Sequence, residues 1–106
     1  MSKKIYCIAS FKPKKGKFNE LFRTLQALEP QTQREDGCIQ YLVTKHISHP
    51  NAQGESFPIV FNEIWASKED FEAHCAKEYI TTFFQKECID ENGLVEAFNV
   101  CTYSDE

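Results

Sequence analysis

The chain has three histidines, at positions 46, 49 and 74, and imidazole is the side chain that titrates closest to neutral pH. His49 falls in a proline-containing polar stretch, where a solvated role is expected. His74 differs. It follows Phe71 by about one turn on the apolar side of an expected helix that must pack over the sheet, which makes it a candidate catalytic group. The plainer reading is a histidine satisfied within the core. Glu63 stands two residues before Trp65 in an expected strand, so alternation sends both side chains to one face. Burying a carboxylate is costly without a partner. Glu63 therefore reads either as a structural hydrogen-bond acceptor or as a second catalytic group.

Other chemistries lack their usual residues. The sequence has no glycine-rich phosphate loop, no GxGxxG after a strand, no HExxH and no paired cysteines, so no nucleotide, flavin or metal cofactor is expected. Any catalysis would use side chains alone. The five cysteines (Cys7, Cys38, Cys75, Cys88 and Cys101) show no metal-type spacing, and an odd number cannot all pair internally. They read as reduced, mostly buried small hydrophobes.

The elements that would position these groups follow from periodicity. Residues 3–11 alternate as a strand, with Ile5, Cys7, Ala9 and Phe11 on one side and Tyr6, Ile8 and Ser10 on the other. After the turn KPKKG, the apolar residues Phe18, Leu21, Phe22, Leu25 and Leu28 recur at helical spacing. Pro30 should end or kink that helix, with QTQRE able to continue as a further helical segment toward Gly37. Strands are expected over 38–47 and 59–65, separated by a loop over 48–58 that carries two prolines and a glycine.

Ser67 followed by Asp70 reads as a helix N-cap with an acid at the positive end of the dipole. That helix carries Phe71, His74 and Cys75, and after a break near Lys77 a second stripe carries Tyr79, Ile80, Phe83, Phe84 and Cys88. Asn92 and Gly93 stop it, and a last strand runs over 94–103. The order β-α-β-β-α-β predicts an α+β, ferredoxin-like fold, a four-stranded antiparallel sheet with its helices on one face. At 106 residues one domain is expected, over 1–106 with a core of about 3–103. Ile8, Val43, Val60, Ile64 and Val100 are assigned to the bare face, which predicts a homodimer closing toward a barrel.

Charge narrows the partners. A net charge of −4 argues against nucleic acid, which requires a basic footprint. No apolar run approaches a membrane span or a signal peptide, so a soluble, cytoplasmic protein without a membrane partner is expected. Half of the twelve basic residues lie within the first seventeen positions. This run reads either as a solvated turn or as a rim that attracts an anionic substrate.

The run FNEIWASKEDFEAH, with Glu63, Trp65, Phe71 and His74, resembles the signature of the antibiotic biosynthesis monooxygenase (ABM) family, as does EDGCIQY from Glu35 to Tyr41. The likeness extends from about Ile5 to Val100. It departs from the family pattern in the long 48–58 loop, in Pro30, and in lacking a matching arginine beyond Arg23 and Arg34. The resemblance implies a dimeric α+β barrel with a small-molecule pocket between sheet and helices. It also implies one of three activities: cofactor-independent oxidation of a phenol or quinol by dioxygen, an isomerase or proton-transfer reaction on a phosphorylated or dicarbonyl metabolite like the processing of autoinducer-2, or non-catalytic binding. In the oxygenase reading His74 and Glu63 are catalytic. Trp65, Phe71, Phe83 and Phe84 form flat apolar walls there, and Tyr41 is a polar contact. Each of these aromatics also reads as ordinary core packing.

Overall fold

Period-two alternation and β-branched or aromatic content give four strands in the computed structural model, which describes residues 3–106. These are β1 (Ile5–Pro13), β2 (Cys38–Lys45), β3 (Ile59–Trp65) and β4 (Val95–Tyr103). Met1 and Ser2 of the expected 1–106 domain lie outside the described residues. The strands form one antiparallel sheet in the order β2-β3-β1-β4. This is the expected ferredoxin-like βαββαβ arrangement. Cys7 pairs with Glu63 and Tyr41 pairs with Glu63 from the other side, so three neighbouring strands bring these residues to one row of the sheet.

The helices cover one face. Helix α1 (Phe18–Gln26) contributes Leu21 and Leu25, both wholly buried, to a core with Ala9, Phe11, Val43, Ile59 and Phe61. Helix α2 (Glu29–Gln33) follows after a short break. Pro30 lies in the first turn of α2, where a missing N–H costs nothing, so the chain breaks ahead of the proline. The second helical segment ends at Gln33, short of Gly37. It has a task at the sheet edge: the Glu29 carboxylate accepts from the Val43 N–H at 2.8 Å, and the Gln33 amide donates to the Tyr41 carbonyl at 2.9 Å. These bonds satisfy backbone groups that an edge strand would otherwise expose.

Helix α3 (Lys68–Cys75) begins at the expected cap, with Ser67 Oγ accepting from the Asp70 N–H at 3.1 Å. Gly37 locks this start against β2. Its φ of +77° suits glycine, and a Cβ there would lie 2.1 Å from an Asp70 carboxylate oxygen. Helix α4 (Glu78–Phe83) follows the expected break and runs into a π-helical turn, Phe84–Ile89. Such wide turns are frequent at functional sites.

Two assignments to the bare face are corrected. Val43 opposes Phe61 and is buried, and Val100 opposes Ala9, so both belong to the helix-covered side. The bare face instead carries Ile8, Val60 and Ile64 with Tyr6, Leu42, Asn62, Cys101 and Tyr103. All five cysteines are unpaired, yet only Cys7 is fully buried and Cys75 is exposed, contrary to the expectation of mostly buried thiols.

Candidate functional site

The side chains of α3, α4 and the π-helical turn do not close fully onto the sheet. A cavity of about 410 Å³ remains between them, lined from the sheet by Cys7, Tyr41, Phe61 and Glu63. Its helical wall carries Phe71, His74, Ile80, Phe83 and Phe84. This volume lies within the ~300–1,000 Å³ of small-molecule sites. Ile89 and Val100 also line it and are exposed, so the cavity opens to solvent beside β4.

One carboxyl group and one imidazole, Glu63 and His74, interrupt the largely apolar wall. The Glu63 side chain is buried, and Trp65 Nε1–H donates to its Oε1 at 3.0 Å. Burial pushes its pKa up to about 7, against the opposing hydrogen bonds from Trp65 and the Cys7 thiol. Burial also drives the Cys7 thiol far above its usual range, with Glu63 adding to the effect. The Tyr41 hydroxyl is raised for the same two reasons, so it stays protonated at neutral pH.

The His74 ring is buried between Trp65, with centroids 4.5 Å apart, and Tyr41, at 5.4 Å. Its Nδ1 lies 3.2 and 3.1 Å from the two carboxylate oxygens of Glu35. Burial lowers the His74 pKa and outweighs the carboxylate, which raises it. The imidazole is therefore neutral at pH 7, and its contact with Glu35 is a hydrogen bond. Tyr79 also donates to Glu35 and shares a 2.9 Å contact with the buried hydroxyl of Thr32. Burial, reinforced by Glu35, pushes the Tyr79 hydroxyl up to about 12.

Of the residues singled out from sequence, Tyr41, Glu63, Phe71, His74, Phe83 and Phe84 meet at this cavity. Trp65, expected as a wall, stands behind it: the indole is wholly buried and reaches the site through Glu63 and His74. His46 and His49 lie apart in the long loop. The basic turn stands outside the cavity wall: Lys12 pairs with Glu96 at 2.9 Å, Lys14 donates to the Glu91 carbonyl, and among the described residues no lysine or arginine lines the cavity. Among the described residues no cluster of three or more His, Cys, Asp or Glu is arranged to hold a metal, and no helix is long and apolar enough to cross a membrane. Glu35 and Tyr79 escaped the reading as site residues. The only sequence signals were an acid before Gly37 and a hydroxyl within an apolar stripe.

The model of the antibiotic biosynthesis monooxygenase family matches residues 4–86. The chain belongs to the antibiotic biosynthesis monooxygenase family. That match takes in the cavity residues from Cys7 to Phe84 and leaves out Ile89 and Val100 at the open end. Among solved structures, protein SO0527 from Shewanella oneidensis is 35% identical over 98% of this chain and 92% of its own, with a TM-score of 0.79. PA3566 from Pseudomonas aeruginosa is 22% identical over 100% and 97%, with a TM-score of 0.77. A DABB-family protein with a ferredoxin-like fold from Mesorhizobium loti is 16% identical over 96% of each chain, with a TM-score of 0.71. The last two likenesses show the fold of this ABM-family chain and nothing finer. No match was found among curated proteins.

Proposed function

We propose that this protein is a cofactor-independent monooxygenase that oxidises a small phenol or hydroquinone with dioxygen in the cavity beneath α3 and α4. The observation that carries the reading is the setting of one neutral imidazole and one carboxyl group, His74 and Glu63, in the wall of a largely apolar cavity of small-molecule size. His74 takes the phenolic proton. The electron-rich phenolate then passes an electron to dioxygen, and recombination, with the proton returned by His74, gives a ring hydroperoxide. Loss of the ring hydrogen with O–O cleavage yields the quinone and water. Phenol plus dioxygen thus balances quinone plus water without an outside reductant. The protein's tasks are proton transfer, steadying of the oxyanion, and exclusion of water from the peroxide. Phe71, Phe83 and Phe84 supply flat contacts for the ring, Tyr41 supplies a protonated hydroxyl, and Trp65 holds Glu63 and His74 from behind.

A phosphorylated substrate fits this site less well, because no cation lines the cavity to meet its charge. The deciding assay follows oxygen uptake by the purified protein, without added cofactor, across a panel of phenols and hydroquinones. A substrate-dependent rate that disappears in a folded His74→Ala variant supports the oxygenase. The absence of uptake with every substrate would leave a proton-transfer enzyme or a binding protein.

The same reading includes a homodimer. Tyr6, Ile8, Leu42, Val60, Ile64 and Tyr103 make a largely apolar sheet face that no helix among the described residues covers, and a second copy would bury it. Sedimentation at micromolar concentration should give a dimer and, for Ile8→Lys, a shift toward monomer. A monomeric wild type would refute this part.

A further inference from the structure

We propose that Glu35 is a positioning residue for His74: its carboxylate holds the imidazole proton on Nδ1 and so leaves the lone pair of Nε2 for a ligand in the cavity. The proposal rests on the reading of His74 as the proton acceptor, but it stands on a separate geometry. Both Glu35 oxygens lie within hydrogen-bond distance of Nδ1, and the two side chains are only 8% and 5% exposed. An ionised carboxylate offers acceptors and no donor, so the shared proton belongs to Nδ1. In neutral imidazole the other nitrogen is then the acceptor. Nε2 has no hydrogen-bond partner among the described residues, and His74 lines the cavity.

Glu35 is itself held in place. Tyr79 on α4 donates to it, and Thr32 on α2 meets the Tyr79 hydroxyl. Two residues further on, Gly37 presses against the Asp70 carboxylate at the start of α3, the helix that carries His74. The turn bearing the acid and the helix bearing the base are thereby locked to each other. The cavity end of α4 is tied to the same point, because Ile80, the residue after Tyr79, lines the cavity. Without the acid, a buried neutral imidazole is free to carry its proton on either nitrogen, and the Nε2–H form cannot accept a proton from a substrate.

The charged and titratable groups around the ring are Glu35 from the turn after α2, Lys77 from the turn after α3, Glu63 from β3, and the hydroxyls of Tyr41 and Tyr79. Glu35 is the one that raises the His74 pKa, whereas Lys77 lowers it. Glu35 therefore sets both where the proton sits and how readily the ring accepts another.

The test is nitrogen NMR of histidine-labelled protein, which reads the tautomer directly and requires no substrate. Wild type should show a proton-bearing signal at Nδ1 of His74 and an unprotonated one at Nε2. Folded Glu35→Ala should move the proton toward Nε2. Glu35→Gln, which keeps the size and one carbonyl oxygen, should lower the His74 pKa further by removing the charge. It also decides the matter should the alanine variant fail to fold. A wild-type proton on Nε2, an unchanged tautomer in folded Glu35→Ala, or an unchanged His74 pKa in Glu35→Gln would overturn the proposal. In an active enzyme Glu35→Ala should cut kcat by roughly 10- to 100-fold, with KM altered by less than about twofold. Failure of every candidate substrate to consume oxygen would defeat the oxygenase reading and leave the NMR result intact.

Discussion

The helix-covered side of the sheet has two ends built from the same strands, and they are packed by different rules. Under α1, the side chains of Leu21, Leu25 and Ile59 fill the space with hydrocarbon, and Phe11 and Phe61, edge to face at 6.5 Å, stand where this end meets the cavity. Under α3 and α4, Glu63 and His74 are buried beside an open cavity, and Glu35 and Thr32 lie close behind. Every fully buried side-chain nitrogen and oxygen among the described residues has a hydrogen-bond partner, which keeps the polar end from incurring the full penalty of desolvation. The contrast teaches where each link lives. The first end supplies burial that stabilises the fold, and the second holds groups that a stability optimum would replace with hydrocarbon.

The sharpest way to break this division is His74→Ala. For the oxygenase proposed above, removing the proton acceptor should lower kcat/KM by about 10²- to 10⁴-fold, on the order of 3 to 5 kcal/mol in the barrier, while the circular dichroism spectrum stays native. Leu21→Ala should do the reverse. It should cost about 2 to 5 kcal/mol of stability in urea titration, because Leu21 is wholly buried and the cavity left behind adds to the lost transfer energy. The molecules that remain folded should keep their turnover. A Leu21→Ala enzyme that is folded but inactive would show that the two ends are not separate.

Much of this division is visible in the sequence, for a physical reason. Alternation and the 3.6-residue period report which side chains leave water, so the strands, the stripe through Leu21 and Leu25 and the cap at Ser67 follow from local spacing. Local spacing also puts Glu63 and Trp65 on one face and His74 on a buried side of α3. It cannot say which partner each polar group finds. Glu35 and His74 are 39 positions apart, and only the Gly37 turn and the cap of α3 join them. Val43 and Val100 fell on the wrong face because those strands are apolar on both sides. Their facing is fixed by the register with Phe61 and Ala9, which periodicity does not contain. Trp65 stands behind the wall instead of in it, because alternation gives the face of a side chain but not its depth.

Glu63 sharpens the comparison through pH. Its pKa rises from 4.5 in the unfolded chain to about 7 in the fold, so between those values the folded state binds more protons. Its contribution is therefore fully present below pH 4.5 and is lost as the pH climbs to about 7, by about 3 kcal/mol at most. His74, with a lowered pKa, acts in the opposite sense and costs stability as the pH falls below about 6.5. Comparison of wild type with Glu63→Gln at each pH isolates the first effect. The stability difference between the two should shift in favour of the glutamine variant from pH 5 to pH 8. A difference independent of pH would mean that the Glu63 carboxyl group is not held in a low-dielectric site.

The smallest effect is expected at the basic turn, and its smallness is informative. The sequence allows Lys14 and Lys15 to serve as an anionic rim. In the structure Lys14 is engaged with the Glu91 carbonyl, and neither lysine lines the cavity. Salt attenuates the reach of exposed charges, with a Debye length of about 8 Å at physiological ionic strength, and a neutral substrate offers them no charge to attract. Lys14→Glu with Lys15→Glu should therefore change KM for a neutral phenol by less than about twofold at that ionic strength, with kcat unaltered. A large rise in KM confined to anionic substrates and abolished by salt would place these lysines in substrate capture. It would also return weight to a phosphorylated metabolite as the ligand, because attraction at the rim would then stand in for the cation that the cavity wall lacks.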